Sequence, residues 1–158
     1  MTFRICVVCS GNICRSPMAE TVLRARLAEA GLDGDHTVDS AGTGGWHVGE
    51  PADPRAVAAL AAAGYPAGAR DHTARRFERD WFDRYDLVVA MDRGHERELR
   101  RLAPDQRAAA KVVLLLDHDP DATEPDVPDP YYGDDEGFAE CLKIIERGVD
   151  GLLDAGVV

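Results

Sequence analysis

Cys9 and Arg15 stand six positions apart in the segment Cys9-Ser10-Gly11-Asn12-Ile13-Cys14-Arg15-Ser16-Pro17. A thiol and a guanidinium at that spacing arise by chance too readily to carry meaning alone. Their setting carries more. The segment follows the apolar run Phe3–Val8 and leads into an apolar-periodic stretch opened by Ser16-Pro17, so it reads as a loop between a buried strand and a helix. Gly11 and Asn12 tolerate left-handed backbone, which lets successive N–H groups curl around one anion at the helix N-terminus. Arg15 adds a planar, two-pronged clamp that lysine does not reproduce. The same donors favour the thiolate of Cys9 over a free thiol, whose pKa is about 8.5, and the thiolate is the nucleophilic form. Ser16 is expected both to cap the helix and to donate its hydroxyl to that sulfur. The chemistry is capture of a phosphate by a cradle that also holds its attacker.

The elements that must position this loop are legible as apolar patterns. Phe3–Val8, Leu87–Met91 and Val112–Leu116 read as buried strands, and a weaker strand is expected near Thr37–Ser40. Ser16-Pro17 opens a helix with Ala19, Val22, Leu23, Leu27 and Ala30 on one face, stopped by Gly31. Asp53-Pro54 opens another, with Val57, Leu60 and Ala61 inward and Gly64 as terminator. The last helix follows Asp134-Asp135-Glu136 and carries the stripe Phe138, Cys141, Leu142, Ile145, Val149, Leu152 and Leu153. Apolar strands alternating with helices imply an α/β fold with a parallel sheet covered on both faces. Ligands of such folds bind at the carboxyl ends of the strands, where residues 9–15 lie.

Composition narrows the function classes. The chain has 158 residues, suiting one domain over 1–158 with roughly two-thirds of its surface buried on folding. Apolar residues at 45% and charged residues at 30% are globular proportions. A formal net charge of −11 disfavours nucleic-acid and anionic-membrane partners, while leaving room for a local positive pocket. No stretch has the length of a membrane helix, and polar Ser10–Asn12 interrupt the first apolar run too early for a signal peptide. Of the four cysteines, Cys6, Cys9 and Cys14 lie within nine residues, which in a reducing compartment points to chemistry rather than stapling. The expected location is therefore cytoplasmic, with Cys6 and Cys141 as core residues.

Cys9–Pro17 resembles the phosphate-binding loop of the low-molecular-weight protein tyrosine phosphatases, especially their bacterial members. The resemblance extends through Asp39-Ser40-Ala41-Gly42-Thr43, Trp46-His47-Val48-Gly49, Asp53-Pro54-Arg55-Ala56, His72-Thr73-Ala74-Arg75, Met91-Asp92 and Asp129-Pro130-Tyr131-Tyr132. It implies a flavodoxin-like, three-layer fold around a four-stranded parallel sheet. It also implies cofactor-free hydrolysis of phosphotyrosine on proteins through a phosphocysteine on Cys9. Ser10, Gly11, Asn12, Ile13, Cys14 and Ser16 would then line the phosphate with Arg15.

Tyrosine has a pKa near 10, so phenolate leaves poorly unless an acid protonates it. Spacing cannot identify that acid, because residues 117–136 contain nine Asp and Glu with no Lys or Arg. The resemblance selects Asp129, with Pro130 stiffening its loop. It also sets Trp46, Tyr131 and Tyr132 as walls of a slot for an aryl phosphate, with Asn12, Ser40 and His72 supporting the loop from behind. His72 is read as structural, and Asp92 as structural at the end of its strand. Cys14, five positions from Cys9, is a candidate for a reversible disulfide that protects the nucleophile. No metal is expected. A calcium loop beginning at Asp117 would need Gly and Glu where Ala122 and Pro128 stand, and no cysteine-histidine cluster has zinc spacing.

Three other activities fit parts of the pattern. An arsenate reductase of this fold needs further relay cysteines, and the only distant one is Cys141 in a helix stripe. A protein arginine phosphatase resembles the chain closely but carries Thr where Ile13 stands. A non-catalytic phosphate-binding module has no use for Cys9 and Asp129 together. A monomer or weak dimer is expected, with tyrosine-phosphorylated proteins as partners.

Overall fold

A computed structural model describes residues 1–158. Four parallel strands form one sheet in the order β2-β1-β3-β4: β1 Phe3–Cys9, β2 His36–Gly42, β3 Leu87–Ala90 and β4 Val112–Leu114. The helices are α1 Arg15–Glu29, α2 Pro54–Ala62, α3 Arg93–Leu102, α4 Gln106–Ala109 and α5 Asp135–Asp154, with 3₁₀ turns at Arg79–Arg84 and Leu115–His118. This is the expected flavodoxin-like arrangement. No helix is long and apolar enough to cross a membrane.

Strand periodicity divides the interior into two cores. Ile5, Val7, Val38, Leu87 and Val89 face one side, where Met18, Leu23 and Leu27 of α1 and Phe138, Leu142 and Ile145 of α5 cover them. Cys6, Val8, Val88, Ala90 and Val112 face the other, under Phe77, Phe82, Tyr85 and Leu99. Each fully buried Leu, Ile or Phe contributes about 1.5–3 kcal/mol of transfer free energy before ordering costs, so the α5 stripe is a principal brace of the first core.

Local signals mostly fall where the patterns put them, with four differences. Helix α1 begins at Arg15 with Cys14 as N-cap, so Ser16 and Pro17 lie inside its first turn and Ser16 is not the cap. The loop tightens sooner than a Ser-Pro start allows because Asn12, at φ 61, turns the chain early. The strand expected near residues 37–40 runs through seven residues. The apolar run 112–116 leaves the sheet at Leu114 and continues as a 3₁₀ turn. Ala30 and Ala61 are exposed, since each sits at the fraying end of its helix, and Ala56 with Leu60 forms the inward face of α2.

Aspartates cap the other four helices: Asp53, Asp92, Asp105 and Asp134 each accept a backbone N–H from the first turn. Each such cap contributes about 1 kcal/mol. Helix α1 alone has no side-chain cap. Its orphan donors face the loop that precedes it.

The order of strands puts that loop at the switch point. From β1 the chain first adds β2 on one side and later β3 on the other. The connections leaving β1 and β3 therefore diverge and open a crevice between them. Cys9 ends β1 and Asp92 follows β3 at this crevice.

Candidate active site

The loop between β1 and α1 is largely buried yet rich in unsatisfied donors. Asn12 and Ser16 are fully enclosed, and Cys9, Cys14 and Arg15 are at most 5% exposed. The N–H groups of Ser10, Gly11, Asn12, Ile13 and Cys14 donate to no backbone carbonyl. Five successive amides without acceptors, in a loop this enclosed, are costly unless an anion receives them. The uncapped N-terminus of α1 adds its dipole in the same direction.

Asn12 fixes the curl. Its Nδ2 donates to Ser16 Oγ at 2.8 Å and to Ser40 Oγ at 3.0 Å, while its Oδ1 accepts from the Arg75 amide at 2.9 Å. His72 Nε2 meets the Asn12 carbonyl at 2.6 Å. Ser16 Oγ accepts from Asn12, and its own proton has two partners within reach, Cys9 Sγ at 3.0 Å and the Ala41 carbonyl at 3.4 Å. Gly42 lets the loop lie this close to β2, since a Cβ there would come within 2.6 Å of the Ser10 carbonyl oxygen.

Arg15 is not a surface charge. Its Nη1 donates to Asp92 Oδ2 at 3.0 Å and to the Val127 carbonyl at 2.9 Å. Its Nη2 lies 3.4 Å from Ser10 Oγ, 3.5 Å from His95 Nε2 and 3.7 Å from Asp129 Oδ2. Asp92 therefore does more than end a strand: one oxygen caps α3 through the His95 amide at 2.9 Å and the other anchors Arg15.

A cleft of about 430 Å³ opens above the loop, lined by Cys9, Gly11, Ile13, Arg15 and Asp129 below and by Trp46, His47, Tyr131 and Tyr132 at its rim. Trp46 is 73% exposed, which removes a core role for it. Tyr131 and Tyr132 stand edge to face with centroids 5.0 Å apart, and His47 tilts against Tyr131 at 6.1 Å. Ser40 and His72 lie outside this cleft, behind the loop. No three His, Cys, Asp or Glu side chains converge to hold a metal ion.

The loop bearing Asp129 is tied down from α2. Asp129 Oδ1 accepts the Tyr131 amide at 3.0 Å, which leaves Oδ2 facing the cleft and Arg15. Arg55 donates to the Tyr131 carbonyl at 2.9 Å and to the Gly133 carbonyl at 3.0 Å. Its own position is held by a two-pronged pair with Asp53. The pattern Asp53-Pro54-Arg55-Ala56 signals a helix start but not this clamp, because the partners lie 76 and 78 residues away. Replacing Arg55 by alanine is expected to lower turnover roughly tenfold, on the scale of losing charged hydrogen bonds, with the fold retained. Steady-state kinetics beside a thermal melt check this; full activity would free the Asp129 loop from any dependence on α2.

The thiols differ in setting. Burial pushes the Cys14 thiol up, with the nearby Asp53 and Cys9 adding to the effect. Burial pushes Cys141 up to about 12, and its Sγ lies 3.6 Å from the Pro128 carbonyl. Cys6 is raised by burial in the opposite core. His47 joins the site beside Trp46, within a segment the resemblance covers without giving His47 a role, and His95 joins it although neither spacing nor sequence neighbours mark it as functional. The only local signal is Asp92 as a helix cap, which sets His95 in the first turn of α3.

The family model described as "Low molecular weight phosphotyrosine protein phosphatase" matches residues 4–157. A low molecular weight protein-tyrosine-phosphatase of Streptomyces coelicolor is 59% identical over 157 residues, covering 98% of this chain and 94% of that protein. A protein tyrosine phosphatase of Entamoeba histolytica, solved with Hepes in its active site, superposes with a TM-score of 0.91 at 31% identity, covering 99% of this chain and all of that one. YfkJ of Bacillus subtilis superposes with a TM-score of 0.88 at 36% identity, covering 98% of this chain and 94% of that one.

Proposed function

Since the chain belongs to the low molecular weight phosphotyrosine protein phosphatase family, we propose that it hydrolyses phosphotyrosine on proteins through a phosphocysteine on Cys9. The five acceptorless amides around Cys9, closed by buried Arg15, are the observation that carries this reading. The phosphate seats among those amides and the guanidinium, which neutralise charge as it shifts between oxygens. Cys9 sulfur attacks phosphorus in line, the bond from phosphorus to the tyrosine oxygen breaks, and Asp129 delivers its proton to that oxygen. The Asp129 carboxylate then takes a proton from the water that attacks the phosphocysteine. Inorganic phosphate leaves and the thiolate returns. No metal or cofactor enters these steps.

The cleft supports an aryl substrate. Trp46, Tyr131 and Tyr132 line the cleft above the cradle, where aromatic side chains can pack against a phenyl group. Hepes, a sulfonate, in the relative's active site is consistent with a tetrahedral oxyanion in the same place. Cys141, protonated and turned to a carbonyl, is poorly suited to relay a disulfide as an arsenate reductase would require. The test is hydrolysis of a phosphotyrosine peptide by wild type, Cys9→Ser and Asp129→Asn.

Cys14 is proposed as a resolving thiol. Peroxide converts Cys9 to a sulfenic acid, and attack by Cys14 sulfur forms the disulfide and releases water. Peptide mapping of peroxide-treated protein should show a Cys9–Cys14 link, with activity returning on thiol addition. Irreversible loss without the link would discard the idea.

A further inference from the structure

We propose that His95 is a positioning residue of this site, a neutral hydrogen-bond acceptor that sets the Ser10 hydroxyl and the free end of Arg15 for oxyanion binding. The inference rests on the reading of residues 9–15 as the phosphate cradle. His95 lies in the first turn of α3, and its side chain is 4% exposed. Its Nε2 is 2.8 Å from Ser10 Oγ and 3.5 Å from Arg15 Nη2. A guanidinium only donates, so an Nε2 facing it presents a lone pair rather than a proton.

That choice of tautomer places the proton on Nδ1. This atom is the one buried side-chain polar atom of the protein without a hydrogen bond, and it lies 3.1 Å from Asp92 Oδ1 in poor bonding geometry. An Nδ1 proton beside a carboxylate oxygen is held there by charge, whereas a lone pair in the same place would be repelled. The ring also stays neutral: burial first, then the Arg15 charge, pushes its pKa down from 6.5 to about 4.

The consequence is a division of labour at Arg15. Asp92 and the Val127 carbonyl hold Nη1. Ser10 and His95 set the direction of Nη2, with Asp129 Oδ2 further off at 3.7 Å. With Ser10 donating to His95, the remaining lone pairs of Ser10 Oγ face Arg15 Nη2 at 3.4 Å. Ser10 is the first residue of the cradle, so its own amide is steadied in the same step. The device acts before chemistry, on the anion site as a whole, and therefore on ground and transition states alike.

His95→Leu removes the acceptor while keeping an apolar body. It is expected to raise KM and the inhibition constant of inorganic phosphate together by roughly tenfold, with kcat changed less than about threefold. His95→Gln, whose amide oxygen reaches close to the Nε2 position, should return both constants to within about threefold of wild type. In a double-mutant cycle, Ser10→Ala and His95→Leu should be strongly non-additive, since each removes the same contact. Equal damage by Leu and Gln, a loss confined to kcat, or single effects that multiply would each overturn the assignment. If His95→Leu fails to melt cooperatively, the Gln and Ser10→Ala constants decide alone: Gln near wild type with a tenfold loss in Ser10→Ala supports it, and any other outcome rejects it. Phosphate affinity is read directly by calorimetry, so failure of the phosphocysteine mechanism would leave this result standing and remain distinguishable from it.

Discussion

Replacing Cys9 by serine is expected to abolish hydrolysis of a phosphotyrosine peptide, by roughly 10⁴-fold or more, while leaving oxyanion binding in place. The reason is a separation of roles. In the proposed mechanism the nucleophile is one sulfur atom, and a serine hydroxyl at that position remains protonated with no adjacent base to activate it. The binding donors are the amides of residues 10–14 and the guanidinium of Arg15, none of which changes. Inorganic phosphate titrated into Cys9→Ser should therefore bind about as well as to wild type. Retained turnover would be fatal to the mechanism. Lost phosphate affinity would mean instead that the sulfur helps to shape the cradle.

Asp129→Asn is the second large effect, and its size should depend on the substrate. General acid catalysis contributes about 10²–10⁴-fold when the leaving group is poor. Tyrosine, with a pKa near 10, needs the proton; a nitrophenol, several units more acidic, needs it far less. The variant should lose roughly 10²–10⁴-fold on phosphotyrosine and substantially less on p-nitrophenyl phosphate, measured as kcat/KM under one set of conditions. The amide preserves the shape and the bond from the Tyr131 amide to Oδ1, so the fold should be unaffected. Equal losses on both substrates would remove Asp129 from the acid role and make it a residue that only positions Arg15, 3.7 Å away.

The legible parts of this protein are those whose cause is local. β1 and the Cys9–Pro17 loop can be read because a buried strand, a left-handed residue and an uncapped helix start are neighbours in the chain. The α5 stripe and the Asp53 and Asp134 starts can be read for the same reason, since caps and periodicity act within one or two turns. The strand at 36–42 is only partly legible because Asp39 and Ser40 dilute its apolar pattern; they sit there because Asp39 meets Tyr85 and Ser40 meets Asn12. Ser16-Pro17 misleads as a helix start because a left-handed Asn12 competes with it, and only the closed loop reveals which turn comes first.

From sequence alone came the proposed reactive centre: a cysteine, a cradle of amides and an arginine, all within nine residues whose geometry is set by bonded neighbours. From sequence, too, came a set of nine acidic residues in one stretch with nothing but a resemblance to choose among them. The tertiary structure decided which carboxylates face Arg15, which arginine ties down the Asp129 loop, and that His95 reaches Ser10 across 85 residues. Such pairings depend on distance through space. A parallel sheet sets those distances by laying the ends of β1 and β3 side by side, and spacing along the chain contains no measure of that.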